Sequence, residues 1–148
     1  MSHAERKARV LFLCTGNSCR SQMAEGWARA LHSDRIDAAS AGTDPQRLNP
    51  LAVRAMAEAG VDIRGHQSKH VCSLRGTPFD LVVTVCSAAA ESCPRFPDAA
   101  RVIHVAFDDP PRLASSARND DEAMPHYRRV RDEIRNFVQS LPALFEEK

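Results

Sequence analysis

The stretch from Arg9 to Ser21 constrains this chain more than any other. Residues 9–14 end in Val10-Leu-Phe-Leu-Cys14, a continuously apolar run that reads as a short buried strand. It passes directly into a turn containing Gly16 and Asn17. Ser21 is then placed to cap a helix running to about Leu31, with Met23, Trp27, Ala30 and Leu31 on its apolar side. Where a loop wraps into a helix start, several backbone N–H groups converge and the helix dipole adds positive potential.

Inside that turn the order of side chains is Cys14-Thr15-Gly16-Asn17-Ser18-Cys19-Arg20-Ser21. Gly16 permits close approach of the backbone, and Asn17 tolerates a left-handed conformation. Arg20 supplies a planar, two-pronged contact for a tetrahedral oxyanion. The same field favours the thiolate of Cys14, to which Ser21 can donate a hydrogen bond. A nucleophile and an anion-binding loop (Thr15, Gly16, Asn17, Ser18, Cys19, Arg20) thus come from one stretch of chain. No Gly-Lys-Ser/Thr follows, so ATP is not expected.

The rest of the chain alternates in type. Residues 36–40 read as a strand stopped by Gly42. Residues 50–59 read as an amphipathic helix with Leu51, Val53, Ala55 and Met56 apolar and Gly60 as its C-cap. Residues 81–86 (Leu-Val-Val-Thr-Val-Cys) form the strongest strand signal, and 102–107 a further one. Residues 110–125 are polar and read as a surface loop. A last helix spans about 126–141, with Val130, Ile134, Val138 and Leu141 at helical spacing and Pro142 closing it. Alternating strands and helices favour an α/β fold with a parallel sheet covered on both faces, and 148 residues suit one domain, 1–148.

Composition narrows the partners. A net charge of +1 with no basic stripe, together with a lone Trp27 and Tyr127, gives no footprint for nucleic acid. No apolar run is long enough to span a bilayer or to serve as a signal-peptide core, so no membrane role and a cytoplasmic location are expected. In that reducing compartment five cysteines (14, 19, 72, 86 and 93) argue for chemistry or burial, not a permanent disulfide framework. Cys86 and Cys93 follow the strongest strand. Their spacing alone leaves a redox pair and two incidental thiols equally open, and it does not suit zinc. No metal or cofactor is expected.

Residues 10–27 resemble the active-site segment of the low-molecular-weight tyrosine phosphatase superfold, and within it that of the thioredoxin-coupled arsenate reductases. The similarity extends to Ser40-Ala-Gly42, the strand into Cys86, Phe107-Asp-Asp-Pro110 and Arg129-Val-Arg-Asp-Glu-Ile134. Phosphatases of this superfold usually carry Pro after Arg-Ser, where this chain has Gln22 as the reductases do. The resemblance implies a three-layer α/β/α domain with a central four-stranded parallel sheet, acting as a monomer on arsenate with thioredoxin as electron donor. It implies that Cys14 attacks arsenic, that Asp109 handles the proton on the leaving oxygen, and that Cys86 and Cys93 carry off the oxidation as a disulfide. On an intact helix those two positions would sit about 10 Å apart, so the segment between them must unwind to bridge. Cys19 reads as structural and Cys72 as incidental.

Some relatives hold a potassium ion behind the loop. Asn17, Glu25 and Ser40 match three of its ligands, and Lys69 stands at the fourth, so the Lys69 ammonium is expected in place of the metal. Two competing readings are a low-molecular-weight phosphatase, because arsenate and phosphate are near-isosteric, and a non-catalytic thiol-based oxyanion sensor.

Overall fold

The structure is a computed structural model that describes residues 7–74, 76–85 and 101–146. Cys86 and Cys93 lie outside the described residues, and with them the expected unwinding of the segment between them.

The fold is of the three-layer α/β/α class, built on a parallel sheet of four strands in the order β2-β1-β3-β4. β1 (Ala8–Cys14) lies inside the sheet between β2 (Ile36–Gly42) and β3 (Leu81–Thr84), and β4 (Val102–His104) closes one edge. Val10, Leu11, Phe12 and Leu13 are all fully buried, because their alternating side chains meet covered faces on both sides. Full burial of such a side chain is worth roughly 1.5–3 kcal/mol.

On the larger face, Val10, Phe12, Leu81 and Val83 pack against α1 (Arg20–His32), α2 (Pro50–Glu58) and α4 (Asp120–Gln139). On the other, Leu11, Leu13, Ala41 and Val82 meet Phe79 and the 3-10 turn Val71–Leu74, which presents Val71 and Leu74. Two short helices complete the described residues, α3 (Pro110–Leu113) and α5 (Ala143–Glu146).

Several boundaries differ from the sequence expectations. α1 begins at Arg20 with Cys19 at its N-cap and no side-chain cap, so Ser21 is not the cap. Met23 and Trp27 are buried as expected, whereas Ala30 is exposed. β2 runs on to Gly42 because Gly42 pairs with Cys14. β4 stops at His104, and Val102 on this edge strand is 54% exposed.

Residues 110–125 are only partly a loop: 114–119 are turns between two helical stretches. Pro110 and Pro111 open α3, with prolines at the first helical positions where no N–H is needed. α4 starts at Asp120, capped by the Asn119 side chain, which accepts from Glu122 N at 2.9 Å. Asp120, Asp121 and Glu122 fill its first turn and complement the helix dipole, and Pro125 lies within the helix on its exposed side. The apolar positions Val130, Ile134, Val138 and Leu141 are all fully buried, as the spacing required. In α2, Asn49 caps the start, and Gly60 follows the Ala59 C-cap at φ +86°.

Candidate active site

β1 delivers Cys14 to the carboxyl end of the sheet. There the chain departs to β2 on one side and later to β3 on the other, a topological switch point where α/β sheets open a crevice. Cys14 to Arg20 line a cavity of about 260 Å³ there, joined by Asp44, Gln46, Asp109 and Pro111. Residues 14–20 and Asp109, distant in sequence, thus line one cavity.

The backbone of the loop is tied from outside. Thr15 O accepts from Asp44 N (2.9 Å), Gly16 O from Gln46 N (2.7 Å) and Ser18 O from Asn49 N (3.0 Å). Asn17 O accepts from Gln22 Nε2 (3.0 Å) and Ser68 Oγ (2.7 Å). In a trans peptide, a carbonyl and the following N–H point opposite ways. The N–H groups of Gly16, Asn17, Ser18 and Cys19 are thus turned to the other side of the loop, as an anion nest requires. Asn17 takes φ 47°, the left-handed conformation its side chain tolerates. That side chain holds two neighbours: Oδ1 accepts from Lys69 N at 2.8 Å, and Nδ2 donates to Ser21 Oγ at 2.9 Å.

Arg20 is buried at the first position of α1. Its Nη1 donates to Phe107 O at 3.0 Å, and its Nη2 lies 3.7 Å from Asp109 Oδ1. Asp109 and Asp108 part company here. Asp109 stands at the N-cap position of α3 with no side-chain capping bond and lines the cavity, 30% exposed, while Asp108 turns outward to bond Arg129 at 2.9 Å. Cys14 and Cys19 are both buried thiols outside any disulfide. Burial, reinforced by the Asp109 carboxylate and opposed by Arg20, pushes the Cys19 thiol far above its ordinary range. Cys19 therefore stays protonated and contributes its backbone, not a nucleophile. Cys72 is exposed in the 3-10 turn.

Behind the loop, Glu25 is buried and accepts from Ser40 Oγ at 2.6 Å and Arg29 Nε at 2.8 Å. This corrects the expectation for Lys69. Lys69 supports the loop through its backbone N–H, while its ammonium lies on the exposed side against Gln67 O at 3.3 Å. The cation beside Glu25 is the Arg29 guanidinium, which approaches from one turn further along α1. Of the three oxygens expected to face a cation, Asn17 Oδ1 accepts from Lys69 N, while Ser40 Oγ donates to Glu25 Oε1 and Arg29 Nε meets Glu25 Oε2. Among the described residues no cluster of His, Cys, Asp and Glu suits a metal.

Gln22, noted in the sequence only for standing where Pro is usual, is fully buried and central. It donates to Asn17 O and Gln67 O (3.1 Å) and meets His66 Nδ1 at 3.0 Å through its carbonyl. Sequence reasoning missed Asp44, Gln46, Asn49, His66 and Ser68. Only Asn49, preceding Pro50 at a helix start, carried a local signal, that of an N-cap.

Residues 9–148 match the sequence model of a known family, described as low molecular weight phosphotyrosine protein phosphatase. The chain belongs to that family. Within it, the chain is 46% identical over 127 residues to an arsenate reductase of Bacillus subtilis, an alignment covering 86% of this chain and 89% of the relative. It is 40% identical over 134 residues to arsenate reductase 2 of Staphylococcus epidermidis, covering 90% and 95%. A solved arsenate reductase in the phosphate binding state superposes with a TM-score of 0.74 at 30% identity, covering 92% of this chain and 97% of that one. The phosphatase-family loop is thus set in a chain whose similar relatives include reductases. Among the described residues, no helix is long and apolar enough to cross a membrane.

Proposed function

We propose that this protein reduces arsenate to arsenite through a thiol relay. The observation that carries the reading is the loop from Cys14 to Arg20, its carbonyls tied outward and its thiol, guanidinium and the Asp109 carboxylate gathered on one cavity. The reductases among its relatives supply the choice of oxyanion.

Arsenate binds on the loop amides and Arg20, whose fixed donors match a tetrahedral oxyanion. The Cys14 thiolate attacks arsenic while Asp109 gives a proton to the departing oxygen, and water leaves. Ser21 supports the thiolate from within α1. The Cys86 thiolate then attacks the Cys14 sulfur. The sulfur–arsenic bond breaks with its electron pair passing to arsenic, so arsenic(V) becomes arsenic(III) and arsenite departs. Cys93 attacks Cys86 in turn, which frees Cys14 as a thiolate and leaves a Cys86–Cys93 disulfide. The dithiol of thioredoxin reduces that bridge and is itself oxidised. Val85, next to Cys86 in sequence, is fixed by its N–H on Leu13 O at 2.9 Å, which ties the approach to the relay to β1. In this reading the protein acts as a single-domain monomer in the cytoplasm, where the thiols are kept reduced.

The test is NADPH oxidation by the purified protein with arsenate, thioredoxin and thioredoxin reductase, for wild type, Cys86→Ser and Cys93→Ser. Sustained arsenate-dependent oxidation in the wild type, lost in both variants, is expected. The family match favours one other reading, hydrolysis of phosphate monoesters on the same loop. No NADPH oxidation beside brisk hydrolysis of an aryl phosphate would establish that reading instead.

A further inference from the structure

The anion loop is held on one flank by a residue outside the cavity lining. Asn49 sits between β2 and α2, and all four of its hydrogen-bonding groups are used. Its N–H donates to Ser18 O at 3.0 Å and its carbonyl accepts from Val53 N at 3.0 Å. Its side-chain oxygen caps α2, accepting from Leu51 N at 2.8 Å and Ala52 N at 3.2 Å. Its side-chain amide donates to the Tyr127 hydroxyl at 3.1 Å. Tyr127 is itself 3% exposed, locked in the face of α4 that packs on the core.

These bonds join three elements at one residue. The direction of the Ser18 carbonyl fixes the direction of the Cys19 N–H, because both belong to one planar peptide. The Asn49 backbone that holds this carbonyl is in turn fixed by its own side chain, by the cap on α2 and by the following Pro50, which confines it to extended geometry. We infer that Asn49 is a positioning residue for oxyanion binding, aiming the Cys19 N–H at the ligand, with Tyr127 as its anchor on α4. Asparagine suits the position because one planar group must accept at the helix start and meet the phenol on its other side. Aspartate satisfies both as well, since its second oxygen accepts from the phenol O–H. Alanine satisfies neither.

This inference rests on the loop being an oxyanion site, so inorganic phosphate is the probe and its Kd, measured by isothermal titration, the readout. Asn49→Ala is expected to raise the Kd about tenfold, the scale of losing a well-aimed hydrogen bond to an anion. In the arsenate assay its KM rises while kcat stays within about threefold, since Cys14 and Asp109 are untouched. Asn49→Asp is expected to restore the Kd to within about twofold of wild type. Ala57→Gly, on the exposed side of α2, is the control for lost helix stability; it should lower the Tm comparably and leave the Kd unchanged. Should Asn49→Ala fail to fold, Tyr127→Phe decides, because it keeps the cap and removes only the anchor; about a threefold rise in Kd is expected. The proposal is overturned by a wild-type Kd in Asn49→Ala, or in Tyr127→Phe where that variant decides, and equally by Ala57→Gly raising the Kd as much. A wild-type protein that binds no phosphate or arsenate refutes the oxyanion reading, and this one with it.

Discussion

A single methyl group at Gly42 probes whether the anion loop is built against β2. Gly42 ends that strand, pairs with Cys14 and donates its N–H to Lys69 O at 2.9 Å. A Cβ there would stand 2.8 Å from Cys14 O and 3.0 Å from Asn17 N, with Thr15 O nearer still. Ordinary contact begins near 3.4 Å, so the loop must yield by more than about 0.6 Å. None of these atoms is the end of a flexible side chain; all are backbone of the oxyanion loop. Overpacking of this kind costs about 1–3 kcal/mol of stability. Its effect on function is expected to be larger, because a displacement approaching 1 Å in a catalytic array costs on the order of a hundredfold. Gly42→Ala should therefore lower kcat/KM for arsenate about a hundredfold and weaken phosphate binding at least about tenfold. Two other glycines calibrate the result. At Gly26 the added Cβ would meet Ile63 Cγ2 at 2.7 Å and Met56 Cε at 3.1 Å, so Gly26→Ala strains the core while leaving the loop alone. At Gly65 nothing lies within 4 Å, and Gly65→Ala should be silent. Titration with phosphate and urea unfolding of the three variants give the answer. If Gly42→Ala bound phosphate like wild type, the loop would not be anchored on β2 and the reasoning would fail.

Asp109→Asn is expected to lower kcat about a hundredfold through loss of the proton donor, while Asp108→Asn, whose carboxylate bonds Arg129, stays within about threefold; equal losses in steady-state assays would remove Asp109 from the chemistry. Potassium should leave the rate unchanged when exchanged for choline at constant ionic strength, because Arg29 already neutralises Glu25. Arg29→Met should lower the Tm, leaving Glu25 buried without that partner, and a clear potassium activation of wild type would overturn the assignment. His66 is expected to set an acid limit on stability. Burial lowers its pKa below the ordinary 6.5, although Glu25 at 4.0 Å pulls the other way, so the unfolded chain takes up the proton more readily. The contribution is complete above about pH 6.5 and is lost as pH falls through that value towards the lower folded pKa. The fall in Tm between pH 7.5 and 5.5 should be smaller in His66→Gln than in wild type, and identical slopes would exclude the role.

What the sequence disclosed about this site was its local part. The apolar run into Cys14, the Gly16-Asn17 turn and the Arg20 spacing each follow from neighbours along the chain, and the structure gathers them on one cavity. The same holds for α4, where Val130, Ile134 and Val138 repeat on one face and are buried. Its start is hidden in the sequence because a polar first turn, Asp120-Asp121-Glu122, reads as a loop unless Asn119 caps it. Other assignments depended on partners far away in the chain. Ser21 reads as a helix cap, but its hydroxyl oxygen accepts from Asn17 in the loop's own network, and Cys19 stands at the N-cap position. Lys69 stands at the sequence position of a ligand, yet the cation that reaches Glu25 comes from one turn along α1, a matter of side-chain direction that spacing does not encode. Asn49, Gln22 and Ser68 each bond a loop carbonyl or the groups around it from a different element. A loop that must present its N–H groups to a ligand needs its carbonyls satisfied elsewhere, and those partners come from whatever the fold brings near. The residues that line the cavity from the loop are therefore close in sequence, whereas those that hold the loop are scattered from Gln22 to Lys69.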